Sequence, residues 1–130
     1  MANEAWVLVV DDDPMILSLV STRLEMAGYR VTTATDAWQE VVQVQGLQIG
    51  LIITDIQMPG MGTGADAVKH LRALPHVSPL LPVIFMTGMK PDDARKIIPA
   101  DPKVRILFKP IDFGQLRVYI RELTGVDRSL

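Results

Sequence analysis

The chain is 130 residues long, carries a formal charge of −2 with 48% hydrophobic side chains, and has no cysteine and only two histidines. A length within about 100 to 150 residues fits one domain, here residues 1–130 with a core over about 6–123, large enough to fold without disulfides or a structural metal. Missing thiols exclude cysteine catalysis and, with only His70 and His76 as imidazoles, the usual zinc sites, which leaves hard-cation chemistry on oxygen ligands open.

No apolar run approaches the roughly 18 residues of a membrane span, and Met1 to Trp6 lacks the basic and apolar stretches of a signal peptide, so the expected location is the cytoplasm with no membrane partner. Residues 1–65 carry 2 basic and 8 acidic side chains, residues 66–130 carry 11 and 7. No run of five like charges occurs, so a nucleic-acid patch is not expected.

Short apolar runs alternate with amphipathic stretches, the βα pattern of an α/β domain. Trp6-Val7-Leu8-Val9-Val10 is continuously apolar and predicts a central strand covered on both faces. Asp13 ahead of Pro14 predicts a helix start, with a capping carboxylate and a proline in the first turn. Ile16, Leu19, Val20, Leu24 and Ala27 recur at helical spacing, and Gly28 stands where a left-handed C-terminal cap is required. Tyr29 to Ala34, with polar residues interspersed, predicts an edge strand, Asp36 to Gln45 a helix, and Leu51-Ile52-Ile53 a second central strand. Ala67, Val68, Leu71 and Leu74 mark a helix, Pro82 to Met86 a strand, and Asp92 to Ile98 a short helix cut by Pro99. Val104 to Phe108 is the last strand, and Phe113, Leu116, Ile120 and Leu123 mark the last helix. Five strands and five helices joined by right-handed crossovers make a doubly wound parallel sheet, with the ligand site beyond the carboxyl ends of its strands.

Just past those ends fall Asp11 and Asp12, then Asp55, Thr87 and Lys109, the last followed by Pro110. In a parallel sheet they converge on one edge. Three carboxylates in one cleft repel, which raises the pKa of at least one of them unless a divalent cation is bound. Mg²⁺ suits such a site, because it takes oxygen ligands and commonly completes its shell with a phosphate oxygen. Asp55 is then a candidate carboxylate nucleophile toward a phosphoryl group, with Lys109 a fixed positive charge and Thr87 a hydroxyl donor. Taken singly, Thr87 also reads as a helix cap, Lys109 as a solvated lysine and Asp12 as a turn residue. Their joint placement at successive strand ends is what favours a site.

Val9-Val10-Asp11-Asp12-Asp13-Pro14, Leu51-Ile52-Ile53-Thr54-Asp55-Ile56-Gln57-Met58-Pro59-Gly60, Met86-Thr87-Gly88 and Phe108-Lys109-Pro110 resemble the response regulator receiver domains of two-component signalling. The resemblance runs from about Trp6 to Leu123 and implies a flavodoxin-like strand order 2-1-3-4-5. It implies that Asp55 accepts a phosphoryl group from the phosphohistidine of a histidine kinase or phosphotransfer protein. Asp12, Asp55 and the backbone carbonyl of Gln57 would ligate Mg²⁺, with Asp11 holding a water on the metal. Thr87 and Lys109 would contact the phosphoryl oxygens, Lys109-Pro110 would be a cis peptide, and a separate downstream protein would read the switch.

The sequence departs from the family in three places. Gly62-Thr63-Gly64 follows Met-Pro-Gly-Met where the family usually has Asp-Gly or a similar pair; Ile106 stands at the usually aromatic position three residues before the lysine; and Pro99 and Pro102 shorten the fourth helix. A phosphorylation-independent interaction domain of the same fold is the rival reading, which Ile106 favours slightly and the presence of all five site residues argues against. A haloacid dehalogenase-type phosphatase using Asp11-x-Asp13 fails, because Met15 stands where a hydroxyl or β-branched residue is expected and the length leaves no place for a cap.

Overall fold

The computed structural model describes residues 5–36, 39, 42–43, 46–56, 64–75, 77–98 and 100–130; of residues 64, 65 and 67 it describes the backbone alone. Nine elements are described: β1 (Trp6–Val10), α1 (Pro14–Met26), β2 (Arg30–Ala34), β3 (Ile49–Asp55), α2 (Gly64–Arg72), β4 (Val83–Thr87), α3 (Pro91–Ile97), β5 (Val104–Phe108) and α4 (Phe113–Thr124). The strands form one sheet in the order β2-β1-β3-β4-β5 with every pairing parallel, as expected for a doubly wound α/β domain. Four helices stand among the described elements; the fifth, expected over 36–45, falls mostly on residues outside the described ones.

Successive strand residues face opposite sides of a sheet, and the core divides accordingly. Val7, Val9, Leu51, Ile53, Ile84, Met86 and Leu107 pack with Val20 and Leu24 of α1 and Leu116, Ile120 and Leu123 of α4. Leu8, Val10, Ile52, Val83 and Phe85 pack on the other face with Val68 and Leu71 of α2 and Ala94 of α3. This two-sided burial explains the uninterrupted apolar runs of β1, β3 and β4.

α1 begins as the Asp13-Pro14 pair predicts: the Asp13 carboxylate accepts from Met15 N–H at 2.9 Å with Pro14 in the first turn. Gly28 follows the helix end at φ 94°, the left-handed conformation a glycine adopts without a Cβ penalty. One expectation fails within this helix. Leu19 is 45% exposed, while Leu17 packs against the core in company with Ile16, Val20 and Leu24. Residues 16, 17, 20 and 24 make the narrower stripe that the sheet admits, and Leu19 lies off its edge.

Two boundaries also differ from expectation. β3 starts at Ile49 and runs through Asp55, and β4 runs through Thr87, so Asp55 and Thr87 close their strands instead of following them. The ladder explains this: Asp55 pairs with Met86 and Thr87 with Phe108, which carries hydrogen bonding to the last residue of each strand. α4 is capped at both ends, by the Asp112 carboxylate on Gln115 N–H and by Gly125 at φ 78°, whose N–H donates to the Arg121 carbonyl.

Candidate functional site

All of the described site residues lie along the carboxyl ends of β1, β3, β4 and β5. Carboxylate oxygens of Asp11, Asp12 and Asp55 come within 4.8 Å of one another. Asp11, just past β1, is fully buried, with Oδ1 accepting from Asp13 N–H at 2.8 Å and Oδ2 from Lys109 Nζ at 3.1 Å. Lys109, just past β5, also donates to Asp55 Oδ2 at 2.8 Å. Its ammonium therefore bridges two carboxylates that sit 44 positions apart in the chain. Asp12 is exposed at the rim. The Lys109-Pro110 peptide is cis, and Lys109 N–H donates to the Thr87 carbonyl at 2.7 Å, which fixes the lysine to the end of β4.

Charge in this cluster is set first by burial. Desolvation pushes the Asp11 carboxyl up; the Asp13 N–H and the Lys109 ammonium pull it down but do not cancel the rise, and the Asp55 charge adds a smaller push upward. The expected rise is present, yet its main cause is desolvation and not mutual repulsion. Burial alone would lower Lys109, but its hydrogen bonds to Asp55 and Asp11 outweigh that, and its ammonium is held above the usual lysine range.

Thr87 is buried, and its hydroxyl oxygen accepts from Met89 N–H at 3.0 Å. It is not a helix cap, since Lys90 occupies that position on α3. Nor is Lys109 a solvated lysine. Gln57, assigned a metal-ligating carbonyl by the family resemblance, lies outside the described residues, as do Met58, Met61, most of the glycine-rich loop, Trp38, His76 and Pro99. Met86 is core, Met89 and Ile106 are half-buried against the second core cluster, and His70 is exposed on α2. Two backbone groups do work that the sequence could not announce: the N–H of Asp13 positions Asp11 and that of Met89 positions Thr87. Every residue but proline has such a donor, so composition gives no sign of them.

Among the described residues the site offers three carboxylates, one of them fully buried, and one ammonium, which reaches Asp11 and Asp55. A hard divalent cation matches both these oxygen ligands and the excess of negative charge among them. The residues therefore fit Mg²⁺.

Comparison with known proteins agrees with this arrangement. A family model described as the response regulator receiver domain matches residues 7–121. The CAI-1 autoinducer sensor kinase/phosphatase CqsS of Vibrio cholerae is 29% identical over 85% of this chain, and the transcriptional regulatory protein ZraR of Klebsiella oxytoca is 29% identical over 89%. This chain spans only 16% and 25% of the length of those two proteins. The solved chemotaxis protein CheY4 of Vibrio cholerae superposes with a TM-score of 0.76 at 31% identity, covering 92% of this chain and 98% of its own. The chain belongs to the response regulator receiver domain family. Receiver domains are signalling modules of two-component systems and not enzymes in the ordinary sense.

Proposed function

We propose that this chain is a phosphoacceptor switch in which Asp55 receives a phosphoryl group from the phosphohistidine of a histidine kinase or phosphotransfer protein. The observation that carries this reading is the Lys109 ammonium seated between Asp55 and the buried Asp11 at the strand ends. A carboxylate oxygen of Asp55 attacks phosphorus as the phosphorus–nitrogen bond breaks, and the bonding pair leaves on the donor imidazole. Lys109 meets the charge that spreads over the transferring oxygens, and the Thr87 hydroxyl, whose oxygen already accepts from Met89 N–H, keeps its proton to donate to one of them. Asp11, Asp12, Asp55 and the Gln57 carbonyl would hold Mg²⁺, which when bound supplies positive charge against the incoming phosphoryl group.

The output is a change of conformation read by a separate protein, with no contact to nucleic acid or membrane by this domain. Reversing a 1:99 equilibrium needs about 5.5 kcal/mol of differential stabilisation. Hydrogen bonds to charged groups contribute about 1.5 to 3 kcal/mol each, so about two to four new contacts around Lys109 and Thr87 supply it.

The test is intact-mass measurement after incubation with a small phosphodonor and Mg²⁺. One phosphoryl adduct on the wild type and none on Asp55→Asn is expected. Absence of the adduct, with a phosphoryl mimic bound no better by wild type than by the variant, would leave the phosphorylation-independent interaction domain as the reading.

A further inference from the structure

Beyond α4 the chain runs on to Leu130 in an alternating pattern: Val126, Arg128 and Leu130 are partly buried, Gly125, Asp127 and Ser129 exposed. A period of two is the mark of an extended segment with one face against the protein. Val126 and Leu130 pack against the core cluster shared by α1 and α4. Between them the Arg128 guanidinium donates to the Ala27 carbonyl at 3.3 Å and lies over the Tyr29 ring, 5.0 Å from its centroid. It fills the space beside Gly28, where an added Cβ would stand 2.5 Å from Nη1. On the outward side, Asp127 is held by Arg117 of α4 at 2.6 Å.

We propose that residues 126–130 are a clasp, keyed by Arg128, that fastens the end of α4 to the corner between α1 and β2 and opens without unfolding the domain. The socket has three parts of distinct chemistry. The Ala27 carbonyl is one of the orphan acceptors at a helix C-terminus, where a cation is also favoured by the helix dipole. The Tyr29 face attracts a guanidinium, whose planar fork stacks and donates at once. Gly28 leaves the room, because any side chain there would occupy the guanidinium's place. Within the clasp Val126, Arg128 and Leu130 are only partly buried, and the buried members of the core, Tyr29 among them, lie outside it, so release uncovers Tyr29 but withdraws no buried side chain from the core. Since Gly28 and Tyr29 precede β2 while Asp11 follows β1 in a parallel pair, the clasp sits at the end of the sheet opposite the acid cluster. Its opening therefore leaves that cluster untouched.

The test compares wild type, Arg128→Ala and Arg128→Lys in the full chain by ¹⁵N relaxation and by the rate of Tyr29 nitration. In the wild type the order parameters of 126–130 are expected near those of α4, about 0.85, and in Arg128→Ala below about 0.6. Tyr29 nitration should rise by at least about thirtyfold, the lower worth of one charged hydrogen bond with its ring contact, with Arg128→Lys between the two. Mg²⁺ affinity should be the same in all three. A tail already below about 0.6 in the wild type, or unchanged tail order and Tyr29 reactivity in Arg128→Ala, overturns the proposal. So does a Tyr29 reaction that proceeds only through global unfolding, shown by the full denaturant dependence of the unfolding transition.

Discussion

Asp11 is costly to the fold, and that cost is what its chemistry requires. Its carboxyl is pushed up by burial, so the folded chain binds its proton more tightly than the unfolded chain does. Stability must then fall as pH rises through the window between the unfolded and folded values, and the ionised form at neutral pH is the destabilised one. Asp11→Asn is expected to match or exceed the wild type in melting temperature in the presence of chelator at pH 7, and to flatten the pH dependence across that window. It should also lose the melting-temperature rise that Mg²⁺ gives the wild type. Asp12→Ala, at an exposed position, should weaken the same Mg²⁺ response while changing metal-free stability by no more than about 0.5 kcal/mol. Melts with and without the metal check both. The strand-end rule made Asp11, Asp12, Asp55, Thr87 and Lys109 legible in the sequence, because a parallel sheet brings such positions to one edge. The bridging posture of Lys109 and the backbone donors of Asp13 and Met89 were not, since they depend on how loops close and not on residue type.

Helices α3 and α4 contrast in how they are held. α3 has seven residues, a cap position filled by Lys90 without a side-chain hydrogen bond, and ion pairs at 3.9 and 4.0 Å between exposed partners. α4 has twelve residues, caps at both ends and three buried side chains. Amide exchange in α3 is expected to be faster than in α4 by at least about two orders of magnitude, as local opening follows packing and capping. Equal protection of the two helices would contradict this. At the far end of the sheet, Arg72 of α2 donates to Asp101 and, through Nε and Nη2, to the Leu81 carbonyl, tying α2 to the approaches of β4 and β5. Asp101 is held below its usual range first by the Lys103 N–H and then, against burial, by Arg72. Its contribution is thus present above the unfolded pKa of about 3.9 and lost as pH falls through the folded value. Asp101→Asn should lower stability by about 1 to 2 kcal/mol at pH 7, with a difference from wild type that shrinks in acid, measured by denaturant titration. Element type and order were readable from apolar runs and caps. The misplacement of Leu19 and the underestimated length of β3 came from facts that periodicity omits: how wide a stripe the sheet accepts, and which neighbour continues the ladder.

For the whole molecule, metal and fold are linked. A cation that binds only the folded chain stabilises it by about 2.7 kcal/mol at a hundredfold excess over its dissociation constant, so the wild-type melting temperature should climb with the logarithm of Mg²⁺ concentration. Chelation should reverse the climb, and Asp55→Asn should reduce it. Along β1, residues 7 and 9 serve the α1 and α4 side while 8 and 10 serve the α2 and α3 side, with the sheet as a party wall between two rooms. Paired substitutions on opposite sides, such as Leu24→Ala with Leu71→Ala, should then add in stability to within about 0.5 kcal/mol, whereas Leu24→Ala with Leu116→Ala should not. A lineage could redecorate one room, and with it one set of outward contacts, while the other stays as it was.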